Sequence, residues 1–135
     1  MFQEVFPILT TQDLPRSLLI TTQATLDAVA SALDRPLDLR RFRTNVHVVL
    51  RDVPAYAEED WEGRRMTIGD AELELLHPCE RCVIPTRDPD TAERDARILR
   101  WLHREHRGLF GINARPMGAA RIAVGDPVRV HEPLP

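Results

Sequence analysis

Cys79 and Cys82 are the only thiols of this chain, and they stand in the run His77-Pro78-Cys79-Glu80-Arg81-Cys82-Val83-Ile84-Pro85-Thr86-Arg87-Asp88-Pro89-Asp90-Thr91. The thiolate is the nucleophilic and metal-binding form of cysteine, and neighbouring guanidinium groups stabilise it. Pro78 and Pro85 stiffen the backbone on either side, Val83-Ile84 reads as a strand, and Asp88-Pro89-Asp90 reads as a tight turn. This is the setting of a reactive or metal-binding thiol site at a strand edge. Three chemistries fit it. A structural zinc site needs four ligands; the pair supplies two, with His77 and His47 as candidates for the rest. A thioredoxin-like dithiol places its pair at the start of a helix in a βαβ frame, whereas Val83-Ile84-Pro85 follows here. In the third, one cysteine acts alone as a soft metal ligand or a persulfide carrier and the other supports it. Soft thiolate suits a molybdenum or copper centre.

A second constellation is Arg40-Arg41-Phe42-Arg43-Thr44-Asn45. On a strand, Arg41, Arg43 and Asn45 alternate and share one face. Two guanidinium forks and an amide there would hold a phosphate or a heterocyclic amide, or would form an exposed basic edge. Arg97, Arg100, Arg104 and Arg107 recur at helical spacing. With Glu93 and Glu105 as partners, they read as a solvated helix face. His103, His106 and His131 read as surface residues, and His47, inside an apolar run, as a satisfied core histidine.

All 18 basic residues are arginine and none is lysine. A Schiff base to pyridoxal phosphate is therefore excluded in this chain, as is a Walker-type phosphate lysine. Anions must be held by arginine or by backbone amides. At 135 residues the length suits one domain, and 43% hydrophobic residues suit a packed core. A net charge of -3 argues against a dedicated nucleic-acid binder. Two cysteines without a basic, apolar leader point to a reducing, cytoplasmic setting. No apolar run approaches the roughly 18 residues that a membrane span needs.

These residues must be positioned by elements that hydrophobic patterning makes visible. Residues 1–17 read as an arm with a short strand near Phe6, and 18–135 as the domain proper. Residues 18–22 read as a strand, and Thr25 caps a helix running to Leu33. Residues 43–50 read as a strand, and 56–61 as a polar connection anchored by Tyr56 and Trp61. Gly69-Asp70 and Gly125-Asp126 each sit beside alternating strand patterns, which suggests a β-barrel or folded sheet. A helix over 91–107 is stopped by Gly108, and 109–113 returns as a strand. The class is mainly β with two helices.

Taken together, these motifs resemble those of the MOSC domains, the C-terminal domains of molybdenum cofactor sulfurases. Arg41-Phe42-Arg43-Thr44-Asn45 is similar to the R-F-R-P-N strand of that family, and Tyr56-Ala57-Glu58-Glu59-Asp60-Trp61 to its A-E-D-x-W segment. Pro78-Cys79-Glu80-Arg81-Cys82 with Thr86 and Asp88-Pro89-Asp90-Thr91 resembles its P-C-x-R-C…T-x-D-P-x-T-G signature. Phe110-Gly111-Ile112 and Val124-Gly125-Asp126-Pro127-Val128 resemble its closing segments. Thr44, Pro85 and Ala92 depart from the family's usual proline, threonine and glycine. The nearest pattern is that of the amidoxime-reducing components.

The resemblance implies a MOSC-type β-barrel that binds molybdenum-molybdopterin, with Cys82 as catalytic thiolate and metal ligand. It implies cofactor contacts from Thr21, Thr22, Arg41, Arg43, Asn45, Arg81 and Thr86. The implied activity is reduction of N-hydroxylated compounds, with electrons from a separate electron-transfer protein. The alternative is a sulfur carrier in which Cys82 takes a persulfide from a cysteine desulfurase without bound metal. Longer relatives carry an N-terminal barrel portion with further basic contacts, so the resemblance implies either a reduced stand-alone form or a pocket completed by a partner subunit or a second copy. Neither nucleic acid nor a membrane is expected as a partner.

Overall fold

Leu18-Leu19-Ile20-Thr21-Thr22 combines aliphatic and β-branched side chains, and all five are buried in strand β2 (Leu18–Thr22) at the centre of the fold. The structure, a computed structural model, describes residues 5–7, 17–81, 90 and 96–133. β2 runs parallel to β3 (Val46–Val48) on one side and antiparallel to β6 (Leu109–Pro116) on the other. Beyond these lie β1 (Val5–Pro7), β5 (Ala71–Glu80), β4 (Arg65–Ile68) and β7 (Val128–Val130), giving one seven-stranded sheet in the order β1-β3-β2-β6-β5-β4-β7. With helices α1 (Gln23–Ala32) and α2 (Arg97–His106), this is the expected mainly β architecture with two helices.

The sheet separates two cores. Leu18, Ile20, Val46, Val48, Met66, Ile68, Leu73, Leu75 and Ile112 fill the inner one. On the opposite face, Leu26 and Val29 of α1 and Ile98 and Leu102 of α2 close over Phe42 and Phe110. The two phenylalanine rings stack with centroids 3.8 Å apart. This second core matters for function because it seats the turn that carries Arg41 and Arg43.

Local chemistry moved several boundaries. The helix over 23–32 is capped by Thr22, not Thr25: Thr22 is still extended, and its Oγ1 accepts from the Thr25 amide. Thr25 instead accepts a hydrogen bond from the Tyr56 amide at 2.8 Å. The strand expected over 43–50 contracts to Val46–Val48. Upstream, Asp38 caps a 3-10 turn over Leu39–Phe42, and Arg43 adopts a left-handed conformation with φ +52°. A side-chain cap and a left-handed residue together favour a turn over continued extension. Of the two Gly-Asp turns, the first joins β4 to β5 in a hairpin, whereas the second precedes only the short β7. Asp126 Oδ2 accepts from the Ala123 amide and lies 2.9 Å from where a Cβ on Gly69 would fall, so the two turns pack on each other. Residues 91–95 of the longer helix expected over 91–107 lie outside the described residues. The helix ends at Arg107 (φ +56°) and Gly108 (φ +77°).

Phe42→Ala should lower stability by about 3–5 kcal/mol, the range for removing a buried aromatic ring. The shift in urea midpoint relative to wild type measures it; a change within 1 kcal/mol would show that the second core is not built on this stack.

Candidate functional site

The site is assembled around the 3-10 turn. Arg40 Nη2 lies 2.6 Å from Asp38 Oδ2, and its two terminal nitrogens lie 3.0 Å from the two carboxylate oxygens of Asp90. Hydrogen bonds from Arg40 hold the Asp38 carboxyl below its usual range, and Asp38 and Asp90 in turn raise the pKa of the Arg40 guanidinium. Two residues beyond Arg40, the Phe42 carbonyl accepts from Arg81 Nη2 at 2.6 Å. One turn therefore grips Arg81 and Asp90, the residues on either side of the segment 82–89.

Arg81 is the hub. Its amide donates to the Gly108 carbonyl at 2.8 Å, and Nη1 approaches Cys79 Sγ at 3.6 Å. Its Nε is buried with no hydrogen-bond partner among the described residues. A buried guanidinium donor left in this way is suited to an anionic ligand. Cys79 lies in β5 and is half-buried. Cys82 and Thr86 fall outside the described residues, although Cys82 follows Arg81 directly.

Arg41 is half-buried and Arg43 exposed. They do not share a strand face with Asn45, because the turn and the left-handed Arg43 intervene. Asn45 instead extends the pairing to β2: its amide donates to the Leu19 carbonyl, and its Oδ1 accepts from the Leu19 amide at 2.7 Å. Its Nδ2 is the group it can offer a ligand.

Thr21 and Thr22 are buried and form two internal networks. Thr21 Oγ1 lies 2.9 Å from Thr44 Oγ1 and 2.7 Å from His47 Nδ1. His47 Nε2 lies 2.8 Å from Gln23 Oε1, and Gln23 Nε2 donates to Asp27 at 2.7 Å. With the amide nitrogen committed to Asp27, Gln23 Oε1 must accept from Nε2–H, so Nδ1 accepts from the Thr21 hydroxyl. Burial pushes the His47 pKa down to about 4. His47 is thus the satisfied core histidine its apolar context suggests, with both ring nitrogens engaged by Thr21 and Gln23. Among the described residues no group of three His, Cys, Asp or Glu side chains could hold a metal ion.

Thr22 serves the second network, donating to both oxygens of buried Glu58 at 3.4 Å. Burial raises the Glu58 pKa, and hydrogen bonds from the threonine hydroxyls partly oppose that. Glu58 and Gln23 were not singled out in the sequence. A carboxylate between the aromatic anchors Tyr56 and Trp61 was the available signal for Glu58. His106 also departs from the surface expectation: it is half-buried, stacked on Tyr56 at 3.6 Å, and bonded to Glu59 at 2.8 Å. A separate cavity of about 270 Å3, bordered by Leu50, Val53, Trp61 and Val130, includes none of the candidate site residues.

The model of one family, described as the MOSC domain, matches residues 12–129. The chain belongs to the MOSC domain family. Mitochondrial amidoxime-reducing component 1 of Homo sapiens is 37% identical over 73 residues, covering 54% of this chain and 20% of that protein. Mitochondrial amidoxime reducing component 2 of Homo sapiens is 28% identical over 124 residues, covering 82% and 36%. Molybdenum cofactor sulfurase of Caenorhabditis briggsae is 32% identical over 103 residues, covering 72% and 14%. This MOSC domain thus spans only a minor part of these relatives' length. Among solved structures, YiiM from Escherichia coli superposes with a TM-score of 0.64 at 11% identity, covering 99% of this chain and 71% of that one. That likeness supports the MOSC-type barrel expected from the motifs. No helix among the described residues is long and apolar enough to cross a membrane.

The His47 network makes a pH prediction. The unfolded imidazole takes up a proton near pH 6.5, whereas the folded one resists it down to about pH 4. Stability is therefore complete above pH 6.5 and falls with pH through that window, by about 3 kcal/mol in total. Urea unfolding of wild type and His47→Gln between pH 7 and 4 should show a steeper acid loss in the wild type; parallel curves would refute the assignment.

Proposed function

We propose that this MOSC domain binds the molybdenum cofactor and forms part of an oxidoreductase acting on N-hydroxylated compounds. The observation that carries the proposal is the Arg81 guanidinium, which joins the cysteine segment to the arginine turn and holds a buried Nε with no hydrogen-bond partner among the described residues. In this reading Arg41, Arg43 and Arg81 hold the cofactor's phosphate, and Asn45 Nδ2 bonds the pterin. Thr86 adds a hydroxyl from the cysteine segment, and the Cys82 thiolate ligates the metal. Thr21 and Thr22 serve from beneath, fixing Thr44 and the start of α1. The names of the relatives support the cofactor and the substrate class.

The bound group would supply two-electron transfer at the metal. The protein's own part is to neutralise the anionic cofactor with arginine forks and keep the thiolate ionised. Conversion of an N–OH group to N–H and water takes up two electrons and two protons. The chain shows no flavin, haem or iron–sulfur motif, so an electron-transfer protein would deliver the electrons.

A second reading is favoured by the Arg81 contact to Cys79, because the same positive charge would stabilise a persulfide beside it. Here Cys82 thiolate takes the outer sulfur of a cysteine desulfurase persulfide and leaves the desulfurase as its thiolate. The sulfurase among the relatives supports this reading.

Molybdenum and pterin should co-purify with wild-type protein from its native host and be lost, by at least tenfold, in Cys82→Ser. Metal-free wild type whose Cys82 carries a persulfide by mass spectrometry would select the second reading, and equal molybdenum in the variant would sink the ligand role.

A further inference from the structure

One feature outside the cofactor reading is the outer face of α2. Arg97, Arg100 and Arg104 lie along it at spacings of three and four residues, all exposed. With Trp101 and with Ala32 and Leu33 at the end of α1, they line an open groove of about 320 Å3. At 1.5 Å per residue, the arginines span about 10 Å along the helix.

Arg104 lies in the last turn of α2, where a cation complements the macrodipole, but the two arginines before it do not. Cations oppose the macrodipole at a helix N-terminus, and Arg97 and Arg100 lie in the N-terminal half of α2, whose first turn has no acidic residue. The positive dipole end therefore adds to the arginines' field. Arg104 meets Glu105 at 2.9 Å, but that pair is exposed and exchanges readily with an incoming carboxylate. The concentration of positive charge is local, since the whole chain carries -3.

We propose that this groove docks an acidic segment of a partner protein. Carboxylates spaced about 10 Å along a helix or strand would meet the arginine line, and an apolar side chain between them would rest on Trp101 and Leu33. The inference is independent of the cofactor reading and survives its failure.

The test uses the full chain and a synthetic helical peptide with glutamates at positions i, i+3 and i+7, titrated by calorimetry at low salt. Saturable one-to-one binding is expected, weakened about tenfold or more in Arg100→Glu/Arg104→Glu and also reduced in Arg100→Gln/Arg104→Gln. Arg129→Glu, an exposed change on β7, should bind as wild type does. Absence of binding, equal binding by the charge-reversed protein, or equal binding of a sequence-scrambled peptide would overturn the proposal. Tighter binding of pyrophosphate or oligo-dT at the same arginines would also overturn it, in favour of a small-anion or nucleic-acid site.

Discussion

The site depends on a double clamp between one short turn and the two ends of the cysteine segment. The Phe42 carbonyl accepts from Arg81, and Arg40 grips Asp90 through both carboxylate oxygens. Neither contact would be worth much alone on an open surface. Their effect is geometric: residues 81 and 90 are both fixed to a turn that is anchored by Phe42 in the second core. A charge-assisted bond to a backbone carbonyl cannot be replaced by lysine without losing the fork that also reaches Cys79. The lysine-free composition therefore suits a site in which each cation must serve two partners.

Beneath the clamp, β2 presents polar side chains to the interior without leaving them unsatisfied. Thr21 joins Thr44 and His47, while Thr22 caps α1 and meets Glu58. Buried hydroxyl and imidazole groups stabilise a fold only when every partner is present. Such a network favours one arrangement of the 44–47 segment, because a slipped register would strand several polar groups at once. Gly111 completes it: a Cβ there would come within 2.8 Å of the Ile20 carbonyl and 3.1 Å of the Thr21 methyl group. The close approach of β6 to β2 thus requires glycine.

The fold class, the two helices and the central strand were legible because they rest on local patterning, such as the apolar run at Leu18-Leu19-Ile20 and the helical spacing of Leu26 and Val29. The cysteine pair and Arg41-Phe42-Arg43 were legible as motifs. What the sequence obscured was conformation set by individual polar contacts. Arg43-Thr44-Asn45 reads as the start of a strand, yet the Asp38 cap and the Thr44 hydroxyl bonds to the Leu19 and Val46 carbonyls bend it. Thr25 reads as a cap because hydroxyls favour helix starts, and only the tertiary bond from Tyr56 shows its actual use. The role of Arg81 as a bridge to Phe42, 39 positions away in sequence, is visible only once the chain is folded.

The most direct measurement is molybdenum and pterin content per chain in Arg81→Met beside wild type, both purified gently from the native host and shown to be folded by circular dichroism. The account predicts a loaded wild type and a folded variant that has lost most of both. A folded Arg81→Met variant as fully loaded as wild type would contradict it.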